Sequence, residues 1–202
     1  MPSEQSIPEP VGNSGVAKLA LRDQLLTARR RRPLAEVGQD AGAIADHLLA
    51  APEVRRAATV ACYVSVGTEP GTTALLDRLV SGGKRVILPV LLPDNDLDWA
   101  EYHGETSLAP AGRGLLEPMS RRLGPDAVAT ADAVLVPGLA VSPTGQRLGR
   151  GGGSYDRTLA RVPLGTFTCV LLYAYEAGVA VPTEPHDRTV TAAATPAGIT
   201  RF

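Results

Sequence analysis

Short apolar runs rich in β-branched side chains recur along this chain and restrict its fold more than any other feature. Four of them, at 59–66, 85–89, 133–137 and 166–173, end near glycine, proline or charged residues. Runs of this length, apolar at consecutive positions, are typical of strands buried on both faces of a parallel sheet. Helical patterns separate several of these runs. The alternation predicts one α/β domain of three layers, in which helices flank both faces of a mainly parallel mixed sheet.

Leucines spaced three and four residues apart predict where the helices lie. We expect helices at 17–31, at 36–50, at 72–81 and from the glycines near residue 153 to Leu159. The segment 97–103 alternates bulky and polar side chains, which predicts a half-exposed strand. A long connection then spans 104–118, and a short strand near residue 190 closes the domain.

Length and charge exclude several classes of protein. The chain has 202 residues and a net charge of −1, so no overall field attracts it to nucleic acid or anionic lipid. Residues 1–13 are polar and rich in proline, and they lack the apolar segment of a signal peptide. No run reaches the roughly 18 apolar residues of a membrane span. We expect a mobile tail at 1–13, a domain at 14–202, and a monomer in the cytoplasm that binds neither nucleic acid nor membranes.

The two cysteines, Cys62 and Cys169, both stand inside apolar runs. A structural zinc site needs three or four Cys or His ligands at short spacings. We therefore expect both thiols to be small buried apolar groups, without a disulfide between them.

A glycine-rich segment follows the predicted strand at 133–137 and opens the next predicted helix. It reads Arg147-Leu-Gly-Arg-Gly-Gly-Gly-Ser-Tyr-Asp156. A helix N-terminus offers unpaired N–H groups, and glycines let the backbone approach a phosphate without Cβ clashes. Arg147 and Arg150 add charged donors. The segment fits neither the nucleotide P-loop nor the dinucleotide-binding pattern, and a tight glycine turn that binds nothing is the alternative.

The segment 136–157, which contains this loop, resembles the signature of the 5-formyltetrahydrofolate cyclo-ligase family, also called methenyltetrahydrofolate synthetase. The resemblance extends from about residue 17 to residue 192. Further matching positions are spread along the chain, namely Lys18 with Arg22, Glu69 with Thr72, Glu117-Pro118, and His186-Asp187.

The resemblance implies that the chain converts 5-formyltetrahydrofolate and ATP into 5,10-methenyltetrahydrofolate, ADP and phosphate, with Mg²⁺. Asp156 and Asp187 would hold the Mg²⁺, and Arg147 and Arg150 would be catalytic. The residues implied in ATP binding are Lys18, Arg22, Arg147, Leu148, Gly149, Arg150, Gly151, Gly152, Gly153, Ser154 and Tyr155. Those implied in folate binding are Val64, Glu69, Arg150, Gly151, Gly152, Gly153 and Ser154.

Other functions remain open at this point. A non-catalytic nucleotide- or folate-binding paralogue is one, because Ser154 stands where many members have a tyrosine and Val141-Ser142 replaces a common Phe-Asp pair. An ATP-dependent ligase or kinase acting on another formamide or carboxylate is a second.

Several site residues also have purely structural explanations. Asp156 could bond within its own helix turn, and Asp187 could pair with Arg188. Trp99 and Tyr102 could line a folate pocket or pack in the core. The arginines at 29–32 are expected to form a solvated helix end, which the helix dipole favours.

Overall fold

The structure of the protein, a computed structural model, describes residues 14–202, so the predicted tail at 1–13 lies outside the described residues. The helices are α1 (Ser14–Arg30), α2 (Leu34–Ala50), α3 (Pro52–Arg56), α4 (Thr73–Ser81) and α5 (Ser154–Arg161). The first strands are β1 (Thr59–Ala61), β2 (Arg85–Leu91), β3 (Leu97–Glu101), β4 (Leu108–Pro110) and β5 (Leu116–Pro118). The later ones are β6 (Ala133–Pro137), β7 (Ala140–Val141), β8 (Arg147–Leu148), β9 (Phe167–Leu171), β10 (Ala192–Thr195) and β11 (Gly198–Arg201).

A seven-stranded sheet forms the centre of the domain, in the order β11-β10-β9-β6-β1-β2-β3. Neighbours from β10 to β2 pair in parallel. The two edge strands, β11 and β3, pair antiparallel to their neighbours. The predicted mainly parallel mixed sheet is thus confirmed.

Successive side chains of the central strands point into two separate apolar clusters, because strand side chains alternate between faces. Val60 packs with α2, α3 and α4 on one face, whereas Ala61 packs against α5 on the other. Leu135 and Val134 of β6 divide in the same way. Burial on both faces explains why these runs are apolar at consecutive positions.

Two of the predicted segments differ from the structure. The run predicted as a strand at 59–66 pairs in the sheet only at Thr59–Ala61, after which the chain leaves the sheet at its carboxyl edge. The connection at 104–118 contains a small antiparallel pair, β4 with β5. Strands of three residues that end in proline carry little periodic signal, which is why the sequence did not predict them.

The two aromatic side chains near β3 are core residues. Trp99 is 1% exposed and packs on the cluster that contains Leu159, whereas Tyr102 is 2% exposed and packs on the cluster of α2 and α4. The strand is therefore less exposed than predicted, and neither ring lines a cavity that could hold a folate.

The prediction of a solvated helix end at 29–32 is wrong for Arg29. Its side chain is fully buried and forms an ion pair with Glu176, with 2.7 Å between Nε and Oε1. Arg32 stacks over the Tyr173 ring at 4.3 Å and pairs with Asp40. A run of charged residues in a sequence suggests a solvated surface. In the folded chain, however, the guanidinium groups of Arg29 and Arg32 contact residues from other segments.

Cys62 and Cys169 are buried free thiols, as predicted. Burial raises the pKa of the Cys62 thiol to about 12. Among residues 14–202, no helix combines the length and the apolar character needed to cross a membrane.

Candidate active site

The strand order reverses direction between β1 and β6, and the candidate site lies where these two strands end. From β1 the chain moves to β2 on one side, whereas β6, β9 and β10 follow on the other. In open α/β sheets, ligands bind in the crevice at such a switch point, outside the carboxyl ends of the strands. Tyr63 and Val64, beyond β1, and Pro137 and Gly138, at the end of β6, line one cavity there.

The glycine-rich loop crosses this crevice between β8 and α5. A Cβ at Gly149 would lie 2.8 Å from Nη1 of Arg147, so a larger residue would displace that guanidinium. Gly153, the residue before α5, has a φ of 70°, which L side chains rarely adopt. Arg22 of α1 donates from Nε to the Gly149 carbonyl at 2.9 Å. The loop is thereby fixed to α1 while its glycines keep the backbone open to a ligand.

Two cavities adjoin this loop. The larger has a volume of about 340 Å³, and the smaller about 200 Å³. The residues that line both are Arg147, Gly149, Gly151, Gly153 and Asp156. The loop is therefore the common wall of two adjoining binding spaces.

The larger cavity has mainly apolar walls and one buried acid. Leu91, Leu97 and Leu115 contribute apolar surface, and the Glu69 carboxyl, 7% exposed, lies within it. Glu69 accepts a bond from the Val66 amide at 2.9 Å. Burial raises the pKa of Glu69, against the opposing effects of that amide and of Arg150. The cavity suits a flat heterocycle that offers polar atoms at its edge.

The smaller cavity is polar and carries charges of both signs. Lys18 is 4% exposed, and its Nζ lies 2.6 Å from Glu184 and 2.7 Å from Asp187. Arg22 and Asp156 line the same space. Burial alone would raise the pKa of Asp187, but the bonds from Lys18 outweigh it and leave that pKa lowered. Asp187 is therefore ionised near neutral pH.

Three groups that could hold a metal ion lie together in the smaller cavity. The ligand atoms of Glu184, His186 and Asp187 are all within 4.8 Å of one another. Asp156 lines the cavity but stands outside this group, and its Oδ1 accepts from Nη2 of Arg147 at 3.1 Å. Glu184 was not predicted, because a lone acid in a Pro-rich turn carries no motif.

The two predicted catalytic arginines differ in their surroundings. Arg147 is 5% exposed, lines both cavities, and also donates to the Pro137 carbonyl at 3.1 Å. Arg150 is half exposed, pairs with Glu69 at 3.1 Å, and lines only the larger cavity. Arg150 thus lies on the predicted folate side of the loop.

Every residue predicted for the site lines at least one of the two cavities, although their roles stay predictions. The structure adds residues that the sequence did not indicate, notably Tyr63 and the Arg113–Glu117 segment around β5. That segment belongs to the stretch predicted as a plain connection. Glu117 was matched to the family without a role, and it accepts from the Leu91 amide at 2.9 Å.

The two departures from the family pattern lie in different places. Ser154 lines the larger cavity. Val141 is buried in the core, and the Ser142 hydroxyl accepts from the amides of Thr144 and Gln146 in the turn between β7 and β8. Neither Val141 nor Ser142 lines either cavity. Val141 packs in the core, and Ser142 stabilises the turn.

Comparisons with known proteins agree with this geometry. Residues 14–196 match the model of the 5-formyltetrahydrofolate cyclo-ligase family. A protein named 5-formyltetrahydrofolate cyclo-ligase from Mycolicibacterium smegmatis is 40% identical over 185 residues, covering 89% of this chain and 94% of that protein. One of the same name from Haemophilus influenzae is 31% identical, covering 83% and 91%.

Solved structures give the same result. The NMR structure of Aquifex aeolicus 5,10-methenyltetrahydrofolate synthetase superposes with a TM-score of 0.78 at 26% identity, covering 91% of this chain and 92% of that one. The family model matches most of the chain, and the relatives match over nearly their full length. These matches establish the family of the chain. The chain belongs to the 5-formyltetrahydrofolate cyclo-ligase family.

Proposed function

We propose that this chain catalyses the Mg²⁺- and ATP-dependent cyclisation of 5-formyltetrahydrofolate to 5,10-methenyltetrahydrofolate, with release of ADP and phosphate. One observation carries the proposal: a single glycine-rich loop lines both a polar cavity, which holds cationic and acidic side chains, and a mainly apolar cavity with a buried acid. A phosphoryl donor in the first and a flat acceptor in the second would meet at that loop. The family to which the chain belongs supports the choice of acceptor.

The reaction needs activation because a formamide oxygen is a poor leaving group. The formyl oxygen attacks the γ-phosphorus of ATP, and ADP departs. The carbon then has iminium character, so N10 of the folate adds to it. The C–O bond breaks, phosphate leaves with the former formyl oxygen, and N10 loses its proton. Positioning and charge stabilisation are most of what such phosphoryl transfer asks of a protein.

Cations on the polar side suit the phosphates of ATP. Lys18 and Arg22 of α1 line the smaller cavity, and Arg147 lines both cavities. Charged donors fixed in a partly dry site stabilise charge that develops on the transferred group. Loop amides from Leu148 to Tyr155 would add neutral donors at the same place.

The carboxylates of the smaller cavity fit Mg²⁺, which prefers oxygen ligands. Asp156 and Asp187 would hold the ion, and Glu184 lies close enough to Asp187 to assist. When bound, the ion would neutralise charge on the β- and γ-phosphate oxygens. Because Lys18 pairs with Glu184 and Asp187 in the described structure, its ammonium group competes with a divalent ion for the same oxygens.

The apolar side suits the reduced pterin. Val64, the loop residues from Arg150 to Ser154, and Glu69 all face the larger cavity. The Glu69 carboxyl, with Arg150 at 3.1 Å, would orient the pterin edge. Apolar walls exclude water, which would otherwise compete with the formyl oxygen for the γ-phosphate.

The test is to mix purified protein with 5-formyltetrahydrofolate and Mg-ATP and to follow the methenyl product by its near-ultraviolet absorbance. We expect product only when ATP and Mg²⁺ are both present, with one ADP formed for each product. Micromolar protein that yields no ATP-dependent product would refute the proposal. ADP formed only with a different formamide or carboxylate acceptor would favour another ligase or kinase.

A non-catalytic paralogue is the second candidate, and the position of Ser154 on the larger cavity is what favours it. A smaller side chain there widens the space around the substrate. Tight binding of ATP and folate without turnover, in the same assay, would support this candidate.

We further propose that the enzyme acts as a cytoplasmic monomer. Support comes from the cavities, since side chains of one chain line both of them. Light scattering at micromolar concentration should give the mass of a single chain, and a stable dimer would contradict this.

A further inference from the structure

Tyr63 lines the larger cavity and has a buried hydroxyl without a hydrogen-bond partner among residues 14–202. The side chain is 2% exposed. A buried polar group left unpaired costs stability, and most such groups in folded proteins are paired. An unpaired hydroxyl on a side chain that lines a binding cavity is therefore a candidate to bond a ligand.

The backbone around Tyr63 is held firmly in place. Its carbonyl accepts from the Thr72 hydroxyl at 2.8 Å, and that same hydroxyl oxygen accepts from the Ser65 amide at 2.9 Å. The Thr72 amide in turn donates to the Ser65 hydroxyl at 3.1 Å. These three bonds fix the segment that leaves β1 against the start of α4. A donor fixed in advance loses little conformational freedom when a ligand binds.

The two charged side chains that act on Tyr63 each form an ion pair, although Nη1 of Arg29 has no hydrogen-bond partner among the described residues. Glu69 bonds to the Val66 amide and to Arg150, and Arg29 pairs with Glu176. Burial, together with the negative charge of Glu69, raises the pKa of the Tyr63 hydroxyl well above its ordinary value. The hydroxyl therefore stays protonated and can donate at neutral pH.

We propose that the Tyr63 hydroxyl donates a hydrogen bond to a carbonyl-type acceptor of the reduced pterin, and so is a specificity-determining residue for the folate. This inference rests on the proposed function, because it takes the larger cavity as the pterin site. Glu69 can only accept when ionised, whereas Tyr63 can donate. On the same heterocycle, Tyr63 would donate to one acceptor and Glu69 would accept from one donor.

The test compares the wild type with Tyr63→Phe, which removes one oxygen and keeps the ring. We expect KM and the directly measured Kd for 5-formyltetrahydrofolate to rise about three- to tenfold, the effect of one neutral hydrogen bond. KM for ATP should stay unchanged. The Tm of the ligand-free variant should equal or exceed that of the wild type, since the variant no longer buries an unpaired hydroxyl.

Tyr102→Phe is the matched control, because Tyr102 is also 2% exposed but donates to Asp77 at 2.9 Å and lines neither cavity. We expect this variant to lose Tm and to keep its folate KM and Kd. A folate Kd of Tyr63→Phe within twofold of the wild type would overturn the inference. So would a lowered ligand-free Tm with unchanged Kd, which would indicate a structural partner for the hydroxyl.

The proposed function can fail separately. If the wild type binds 5-formyltetrahydrofolate but forms no product, the proposed turnover is wrong and the Kd comparison still decides the role of Tyr63. If the wild type does not bind this folate at all, both proposals are overturned.

Discussion

Asp187 and Lys18 lie 169 positions apart in sequence and are joined by hydrogen bonds in the structure. The sequence predicted both as site residues, one for the metal and one for ATP. It could not predict that they pair, because single residues carry no information on long-range contacts. The same holds for Glu184, which completes the acidic group and has no motif of its own.

Asp156 and Asp187 permit a test of the proposed metal site. Asp187→Asn and Asp156→Asn should each raise the Mg²⁺ concentration for half-maximal activity at least about tenfold, because each removes a carboxylate ligand. Titration of the cyclisation rate with Mg²⁺ at saturating ATP measures this.

Asp46→Asn is the control, since Asp46 is exposed and, within residues 14–202, forms its one ion pair with Arg78 at the surface. Its Mg²⁺ titration should match that of the wild type. A half-maximal Mg²⁺ concentration unchanged by Asp156→Asn would remove Asp156 from the metal site, and the same result for Asp187→Asn would remove Asp187.

Helix α1 is held against the site by a buried ion pair. Arg29 bonds to both carboxylate oxygens of Glu176 and donates to the Gly138 carbonyl at 2.7 Å. Gly138 lines the larger cavity, and the same helix carries Lys18 and Arg22. One pair therefore fixes the position of the helix that supplies the proposed phosphate contacts.

Breaking that pair should be costly. Glu176→Gln leaves the Arg29 charge buried without a counter-ion, so we expect the free energy of unfolding to fall by about 3 kcal/mol. Urea unfolding measures the loss. The double variant Arg29→Met with Glu176→Gln should recover part of it, since no buried charge remains. A loss of less than about 1 kcal/mol for Glu176→Gln, as for an exposed pair, would contradict this assignment.

Elements with a strong periodic signal could be predicted from the sequence, and short irregular ones could not. The strands buried on both faces and the helices α1, α2 and α4 follow from apolar runs and leucine spacing. The β4–β5 pair does not, because each strand has only three residues and ends in proline. That pair supplies Leu116 and Glu117 to the larger cavity, so part of the candidate site was also missed.

The topology of the whole sheet brings the distant site segments together. The carboxyl ends of β1 and β6 are neighbours in space, although they are far apart in sequence: Val60 lies opposite Ala133, and Ala61 lies opposite Val134. The glycine-rich loop after β8 closes over this crevice, and α1 reaches it from the start of the domain. The resemblance to a family identified these segments in the sequence. Only the fold explains why the same loop lines both cavities.

The central claim is that ATP and the folate bind in two adjoining cavities and react at the loop that lines both. In that reaction the formyl oxygen of the substrate becomes an oxygen of the released phosphate. The most direct measurement uses 5-formyltetrahydrofolate labelled with ¹⁸O in the formyl group, with mass analysis of the phosphate released. We predict that each phosphate carries one ¹⁸O atom, in step with the methenyl product. Unlabelled phosphate formed alongside product would contradict the account, because ATP would then be hydrolysed by water and the formyl oxygen would leave by another route.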